Sequence, residues 1–337
     1  MLSEQDCAEI AAAALPAYGL DAASSEVRLL SLSENGTYRV RGPARELVLR
    51  VHRPGYQTPG SIASELTWMD ALRDECGVVT PAVVPAVDGR RVVTLERSDG
   101  PRHVVAFELV PGVTAEESAH LLPVGELGRL TARMHLHTQR WPVPTGFERF
   151  HWDLDACLGD SARWGAWSAG PGLSDADRPV VARAADEVRA RLTAYGQGPD
   201  RYGLIHADLR LANLMVDDDR RLTVIDFDDC GFGWFLYDLA TVLSWLEHEP
   251  GSPTTVAAWL EGYTAERELS EVDLAMVPTF VMLRRLMLTA WLGTHPASPP
   301  ALELGTTFGA GTGDLARRYL DDADWFRVPA RPTPEKE

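Results

Sequence analysis

The chain has 337 residues, 45 % of them hydrophobic and 24 % charged, with a formal net charge of −17. This length exceeds one small core and fits two domains of ordinary size. The charge disfavours nucleic acid and anionic membrane as partners and favours cations. The four cysteines, Cys7, Cys76, Cys157 and Cys230, are scattered without paired spacing, which argues against a cysteine zinc site or a redox pair.

In chain order, Met1–Asp6 is polar and mildly acidic, and the apolar run Ala11–Leu15 is too short for a signal core or a membrane span. The cytoplasm is therefore the expected location. Glu4–Tyr18 has helical spacing, and Gly19 is a natural stop. Glu26–Ser33 reads as a strand. The turn Glu34-Asn35-Gly36 follows, then strand runs Thr37–Gly42 and Arg45–Arg53, with Asn35-Gly36 as the hairpin signal. Ser61–Glu75 is an amphipathic helix, and Arg90–Val110 reads as two strands around Asp99-Gly100. The pattern breaks at Val110–Val113. Helical spacing then covers 124–138, 177–195, 235–249, 254–266 and 274–293, interrupted by a two-stranded insert, Asn213–Val216 and Leu222–Phe227 around the turn 217–221. The end, RVPARPTPEKE, is Pro-rich and charged and predicts disorder. The expected organisation is a strand-rich domain at 1–110, a helical domain at 111–326 and a disordered tail at 327–337.

One apolar stretch carries the chemistry. Leu204–Met215, LIHADLRLANLM, would suit a core element, yet it holds His206, Asp208, Arg210 and Asn213. Asp226 closes the following strand run. Singly, Asp208 would cap a turn, Asn213 open a strand and Asp226 end one. Jointly, an Asp, an Asn five residues later and an Asp at the end of the next strand suit phosphoryl transfer. A hydroxyl nucleophile needs a carboxylate to orient it and take its proton, and nucleotide phosphates need a divalent cation held by hard oxygen donors.

HADLRLAN reproduces the His, Asp and Asn positions of the kinase catalytic loop. Together with VIDFDD and YDLA (Tyr237–Ala240), it resembles the aminoglycoside phosphotransferase / choline kinase superfamily. Ala207 stands where that family usually has glycine. VLRVHRPG, the helix carrying Glu65, and FELVPG follow in the family's order, so the resemblance spans roughly Ser31 to Ala240 by motif. It implies an α+β, protein-kinase-like fold of two lobes, with an antiparallel sheet in the first and mainly helix in the second. It also implies ATP and Mg²⁺ as cofactors, Asp208 as catalytic base, Asn213 and Asp226 as metal ligands, and a brace for the catalytic loop in Asp238. The acceptor would be a small-molecule hydroxyl: an amino alcohol, a hydroxy amino acid or an aminoglycoside-type antibiotic.

The chain departs from that pattern in having a single lysine, Lys336. Relatives hold the ATP phosphates with a strand lysine paired to a helix glutamate, so Arg50 paired to Glu65 is expected to stand in, a geometrically stricter substitute. The phosphate-covering hairpin has one glycine, leaving Ser33, Asn35 and Gly36 to approach the phosphates. Glu108 and Val110 are the main-chain candidates for the adenine edge. Asp228 and Asp229 suit a second metal contact, a substrate cation or a solvated turn. Arg284 and Trp291 suit an acceptor carboxylate and cation, although a helix face and a core aromatic are the commoner roles. His135 and His137 read as packing or capping residues. Two other readings stay open: a protein serine/threonine kinase, for which the Asp226–Asp238 interval leaves little activation segment, and a catalytically weak nucleotide-binding pseudokinase.

Overall fold

The computed structural model describes residues 3–322 together with Trp325 and Phe326. The tail at 327–337, expected to be disordered, lies outside the described residues. In chain order the elements are α1 (Glu4–Ala14), β1 (Glu26–Leu32), β2 (Gly36–Arg41), β3 (Glu46–Val51), α2 (Pro59–Cys76), β4 (Val83–Val84), β5 (Val93–Leu95), β6 (Arg102–Glu108), β7 (Val113–Thr114) and α3 (Val124–Arg140). Then come β8 (His151–Trp152), α4 (Leu154–Leu158), α5 (Arg178–Tyr195), β9 (Tyr202–Ile205), β10 (Leu214–Val216), β11 (Leu222–Val224) and β12 (Gly231–Trp234). The chain finishes with α6 (Tyr237–Val242), α7 (Ser252–Glu266), α8 (Glu271–Leu274), α9 (Val277–Thr294), α10 (Pro299–Leu304) and α11 (Thr307–Asp321). Two compact units result. The first comprises residues up to Leu121, with Pro142–Arg149 and Ala212–Asp228; the second comprises Leu122–Trp141, Phe150–Leu211 and the chain from Asp229 on.

In the first unit a capping box starts α1: Ser3 Oγ accepts from Asp6 N, and Asp6 Oδ2 accepts from Ser3 N. Gly19, at φ 68°, ends the 3₁₀ turn that follows. The helix lays Cys7, Ile10, Ala11 and Ala14 against Tyr38, Val40, Leu47, Leu49 and Val51. These belong to an antiparallel sheet of order β1-β2-β3-β6-β4, with β5 also paired to β6. Strand periodicity puts Leu47, Leu49 and Val51 on the face that packs on α1, and therefore Val48 and Arg50 on the other. Thr58 caps α2 by accepting from Ser61 N. A second, small sheet joins β11, β10 and β7.

The second unit is mainly helical. Among its helices α3 and α7 approach closely through glycine: a Cβ added at Gly128 would sit 2.1 Å from Trp259 O, and one at Gly262 1.8 Å from Gly125 O. The helix α9 is buried along nearly its whole length, Arg284 and Arg285 included. The segment Glu271–Thr294 is long and apolar enough to cross a membrane, and 89 % of its most apolar window is buried inside the structure. A three-stranded sheet, β8-β12-β9, was not expected from sequence. Two expected elements are shorter than their spacing suggested. The helix expected at 235–249 stops at Val242, because Trp245 takes a left-handed backbone conformation at φ 72°. The strand expected at 222–227 stops at Val224, because Asp226 does the same at φ 58°.

The helix contact yields a direct prediction. Gly128→Ala forces α3 off the α7 backbone and lowers stability by about 3 kcal/mol, the upper range for an overpacked core. A urea melt measures this; an unchanged midpoint would mean that the contact contributes nothing.

Candidate active site

In the first unit, the β10–β11 hairpin brings Asn213 and Asp226 to the same end. Leu214 pairs with Val224, and Ile225 N donates to Asn213 O at 3.0 Å. Asn213 is buried, whereas the Asp226 side chain is 39 % exposed. One amide oxygen and one half-exposed carboxylate are hard donors of the kind Mg²⁺ takes, with room for the phosphate and water oxygens that normally complete its shell. Among the described residues, no cluster of three or more His, Cys, Asp or Glu side chains could make a metal site by itself.

Arg50 ties this hairpin end to α2. Its Nη2 donates to Glu65 Oε1 at 2.6 Å, and its Nη1 to Asp226 Oδ1 at 3.2 Å. Burial disfavours its charge, but the carboxylates of Glu65, Asp228 and Asp226 outweigh that and keep it protonated well above the ordinary arginine range. Phe107 lies beneath the guanidinium, 5.3 Å to the ring centroid. The lysine-free strand thus presents a cation on the α2 glutamate, and the same cation reaches Asp226.

Asp228 is not a loose acidic turn residue. Its Oδ2 accepts from Asn35 Nδ2 at 2.9 Å, and Asn35 Oδ1 accepts from Arg53 N at 3.0 Å. Its main-chain oxygen accepts from Gln57 Nε2 and Arg149 Nη2. Burial would raise its carboxyl, but the His52 ring, with Nδ1 3.4 Å from Oδ1, and the nearby Arg50 and Arg53 charges hold it far below the usual range. His52 itself is pushed down to about 4 by burial and by Arg50, against the pull of Asp228, and is neutral at pH 7. Side chains, rather than a run of glycines, therefore fasten the hairpin turn. Gly36 is the first residue of β2, and a Cβ there would meet Cys7 at 3.0 Å. Ser33 is half-buried beside this turn. At the end of β6, Glu108 is exposed and its N–H donates to Ala82 O, so that donor is already engaged; Val110, two residues on, is half-buried.

In the second unit, four consecutive amides of the His206–Leu209 loop are held. Asp238 Oδ2 accepts from His206 N at 3.1 Å, and Asp238 Oδ1 from Ala207 N at 2.7 Å. His206 Nδ1 accepts from Asp208 N, and Thr241 Oγ1 accepts from Leu209 N. Ala207 has φ 66°, where glycine is the low-cost residue; the two bonds to Asp238 offset that cost. Asp238 is steadied in turn by His135, whose Nε2 lies 3.1 Å from Asp238 Oδ2 and whose Nδ1 lies 2.8 Å from Tyr263 OH. Burial lowers the His135 pKa, so the neutral ring donates to Asp238 and accepts from Tyr263.

Both Asp208 oxygens have cationic partners. Arg284 Nη2 donates to Oδ1 at 2.6 Å, and Arg210 Nε to Oδ2 at 3.1 Å. Burial would raise this carboxyl; Arg210, Arg284 and His206 more than compensate and lower it. The side chain remains 15 % exposed, so it is ionised and reachable at pH 7. Arg284 is 1 % exposed and also donates to Ser244 Oγ, Tyr237 OH and Ala207 O. Arg285 pairs with buried Glu247. Arg284, which sequence reasoning offered to an acceptor carboxylate, and its neighbour Arg285 are both engaged within the protein. Trp291 is half-buried on α9, and Asp229 is buried with its main-chain oxygen accepting from Trp152 Nε1. The roles of Arg284, Tyr237, Ser244 and Arg210 toward Asp208 were not read from sequence. Arg210 was visible, two residues on; for Arg284, 76 residues separate the partners and no local signal exists.

Residues 26–273 match the model of the phosphotransferase enzyme family. A solved structure described as a microcompartment-associated aminopropanol kinase is 47 % identical, covers 94 % of this chain and 98 % of its own, and superposes with a TM-score of 0.86. The amicoumacin kinase of Bacillus subtilis is 26 % identical over 83 % of each chain. A homoserine kinase of Gluconobacter oxydans is 29 % identical over 64 % of this chain and 67 % of its own. The antiparallel sheet of the first unit and the helices of the second are the α+β architecture of kinase-like proteins.

The Asp208–Arg284 pair sets a pH-dependent stability. The lowered carboxyl contributes stability that is present above the unfolded value, near pH 4, and is lost as pH falls through the folded one. Arg284→Met removes a buried partner and costs about 3 kcal/mol at pH 7. Its deficit against the parent shrinks below about pH 4 as Asp208 protonates. Urea melts from pH 3 to 7 measure both; a deficit independent of pH would refute the electrostatic role.

Proposed function

This chain belongs to the phosphotransferase enzyme family and is a small-molecule kinase with an alcohol acceptor, and from that premise we propose that it transfers the γ-phosphate of ATP, with Mg²⁺, to the hydroxyl of a short amino alcohol of the aminopropanol class. The observation that carries the acceptor class is the 47 % identity to an aminopropanol kinase across nearly the whole of both chains.

In the proposed reaction, Asp208 orients the acceptor hydroxyl and takes its proton as the oxygen attacks the γ-phosphorus. Arg284 and Arg210 keep the carboxylate ionised and limit its rotation. Asn213 and Asp226 would hold Mg²⁺, which when bound offsets phosphate charge and favours departure of ADP. Arg50 supplies the fixed cation for the phosphates that a lysine supplies elsewhere, backed by Glu65. Asn35 and Gly36 lie in the turn that would cover them, and the backbone near Glu108 and Val110 would meet the adenine. Asp228 and Asp229 are assigned no direct substrate contact: the first holds the Asn35 turn.

Engagement of Arg284 and Arg285 with Asp208 and Glu247 favours an acceptor without a carboxylate, and so favours an amino alcohol over homoserine. The net charge of −17 favours a cationic one.

The test is a panel of aminopropanols, ethanolamine, homoserine, an aminoglycoside and a serine-containing peptide, each with ATP and Mg²⁺, following ADP release. An aminopropanol gives the highest kcat/KM, with homoserine lower by about 100-fold, the scale of about 3 kcal/mol for an unpaired charge. Preference for homoserine or the peptide would overturn the acceptor assignment.

A further inference from the structure

In the first unit, the main chain that carries Asp226 is held by side chains to which the reaction above gives no part. Asp226 takes the left-handed conformation at φ 58°, two residues past the end of β11. Aspartate tolerates that region, but it keeps one such conformation only where its surroundings fix the chain on both sides. Before Asp226, Ile225 N is bonded to Asn213 O at 3.0 Å. After it, Phe227 and Asp228 are buried outside any strand or helix, where main-chain oxygens need donors. Arg149 serves this segment. Its Nη2 donates to Asp228 O and lies 3.5 Å from Phe227 O. Gln57 Nε2 gives Asp228 O a second bond at 2.6 Å.

The other nitrogen of the same guanidinium is fastened to α2. Arg149 Nη1 donates to Ser61 O and to Ser61 Oγ, both at 3.2 Å. Ser61 Oγ donates in turn to Gln57 Oε1 at 2.6 Å, which turns the Gln57 nitrogen toward Asp228 O. Ser61 and Glu65 stand one turn apart on the same face of α2. Glu65 holds Arg50, and Arg50 holds the Asp226 carboxylate. The contacts close a ring that runs from that carboxylate through α2 and Arg149 back to the main chain just after Asp226. Arg149 is buried and belongs to Pro142–Arg149, a short part of the first unit that lies 78 and 79 residues from Phe227 and Asp228 in sequence.

We propose that Arg149 is a positioning residue for the divalent cation: its fork ties the 227–228 main chain to α2 and so aims the Asp226 carboxylate at the metal. This rests on the reading of Asn213 and Asp226 as metal ligands. Arg149 acts through Asp226 and contacts no reacting atom. The planar fork suits the task, because two nitrogens in a fixed relation reach two chain segments at once, whereas a lysine ammonium is a point charge on a flexible stem. Groups that orient a metal ligand without touching the metal change metal affinity by about 10- to 100-fold when removed.

The experiment reads Mn²⁺ affinity by electron paramagnetic resonance with ADP present, and ADP affinity without metal by calorimetry. It compares the parent with Arg149→Met, Arg149→Lys, Gln57→Met and Asp226→Asn, and circular dichroism checks folding of each. Arg149→Met weakens Mn²⁺ binding by about 30-fold while metal-free ADP binding stays within about twofold. Arg149→Lys does not restore the metal affinity, and Gln57→Met weakens it by a smaller factor in the same direction. Unchanged Mn²⁺ affinity in folded Arg149→Met, restoration by lysine, or an equal loss of metal and metal-free ADP binding overturns the role. Should Arg149→Met not fold, Gln57→Met decides: weaker Mn²⁺ binding with ADP binding unchanged supports the role, and parent-like Mn²⁺ binding overturns it. Asp226→Asn isolates the underlying reading. If that variant binds Mn²⁺ as the parent does, Asp226 is no metal ligand and the positioning role falls with it.

Discussion

Arg284 is the constraint on which the second unit turns. A guanidinium at 1 % exposure has to be fully satisfied, because an unpaired buried charge costs several kcal/mol. It is satisfied by Asp208, Tyr237, Ser244 and the Ala207 carbonyl at once. Those partners come from the loop after β9, from α6 and from the segment that follows α6. One buried cation therefore fixes the carboxylate proposed as the base and the chain that leads to Trp245. The fork geometry of arginine matters here: a lysine ammonium, with three donors, could not serve four acceptors while lying over the Trp164 ring, 5.2 Å from its centroid.

The first unit solves a related problem with the same residue type. Arg50 divides its two terminal nitrogens between Glu65 and Asp226, so helix α2 and the end of the β10–β11 hairpin are set relative to one cation. Asp228 does the equivalent work by accepting from Asn35 and, through its main chain, from Gln57 and Arg149. A glycine-poor turn is thus held by side chains. The expected consequence is a stiffer turn, at the place proposed for the phosphates, than a glycine-rich one, since fewer backbone conformations are open to it.

The motif residues were legible in sequence because their spacing is local. Asp208 and Asn213 share one loop, Asp226 ends the paired strand, and the Arg50–Glu65 pair follows from a strand preceding a helix by a short connection. The helices α1, α2, α3, α5, α7 and α9 were legible from their periodicity, and β1, β2, β3, β5 and β6 of the large sheet from their turns; the two-residue β4 was not read. What stayed hidden depends on contacts across long sequence intervals. The partners of Arg284 lie 40 to 77 residues away, and the ordinary reading of a helix-face arginine in an apolar run gave no hint of them. The sheet of β8, β9 and β12 was missed because its strands are two to four residues long and rich in glycine and aromatics. The early end of α6 was missed because nothing in LATVLSW forbids helix; tertiary packing overrides propensity at Trp245. Ala207 is the instructive intermediate. Its departure from the usual glycine was visible, but only the left-handed backbone shows why glycine is usual there.

Everything proposed for the chemistry returns to Asp208 as the group that receives the acceptor's proton. The direct measurement is turnover and nucleotide binding by Asp208→Asn, which keeps the size of the side chain and one oxygen for Arg284 but removes its basicity. With 1-amino-2-propanol, ATP and Mg²⁺, kcat falls by about 1,000-fold or more, while the dissociation constant for ATP, read by calorimetry, stays within about threefold. A variant that turns over at the parent rate while folded and ATP-bound would contradict the assignment of the base, and with it the role given to Arg284.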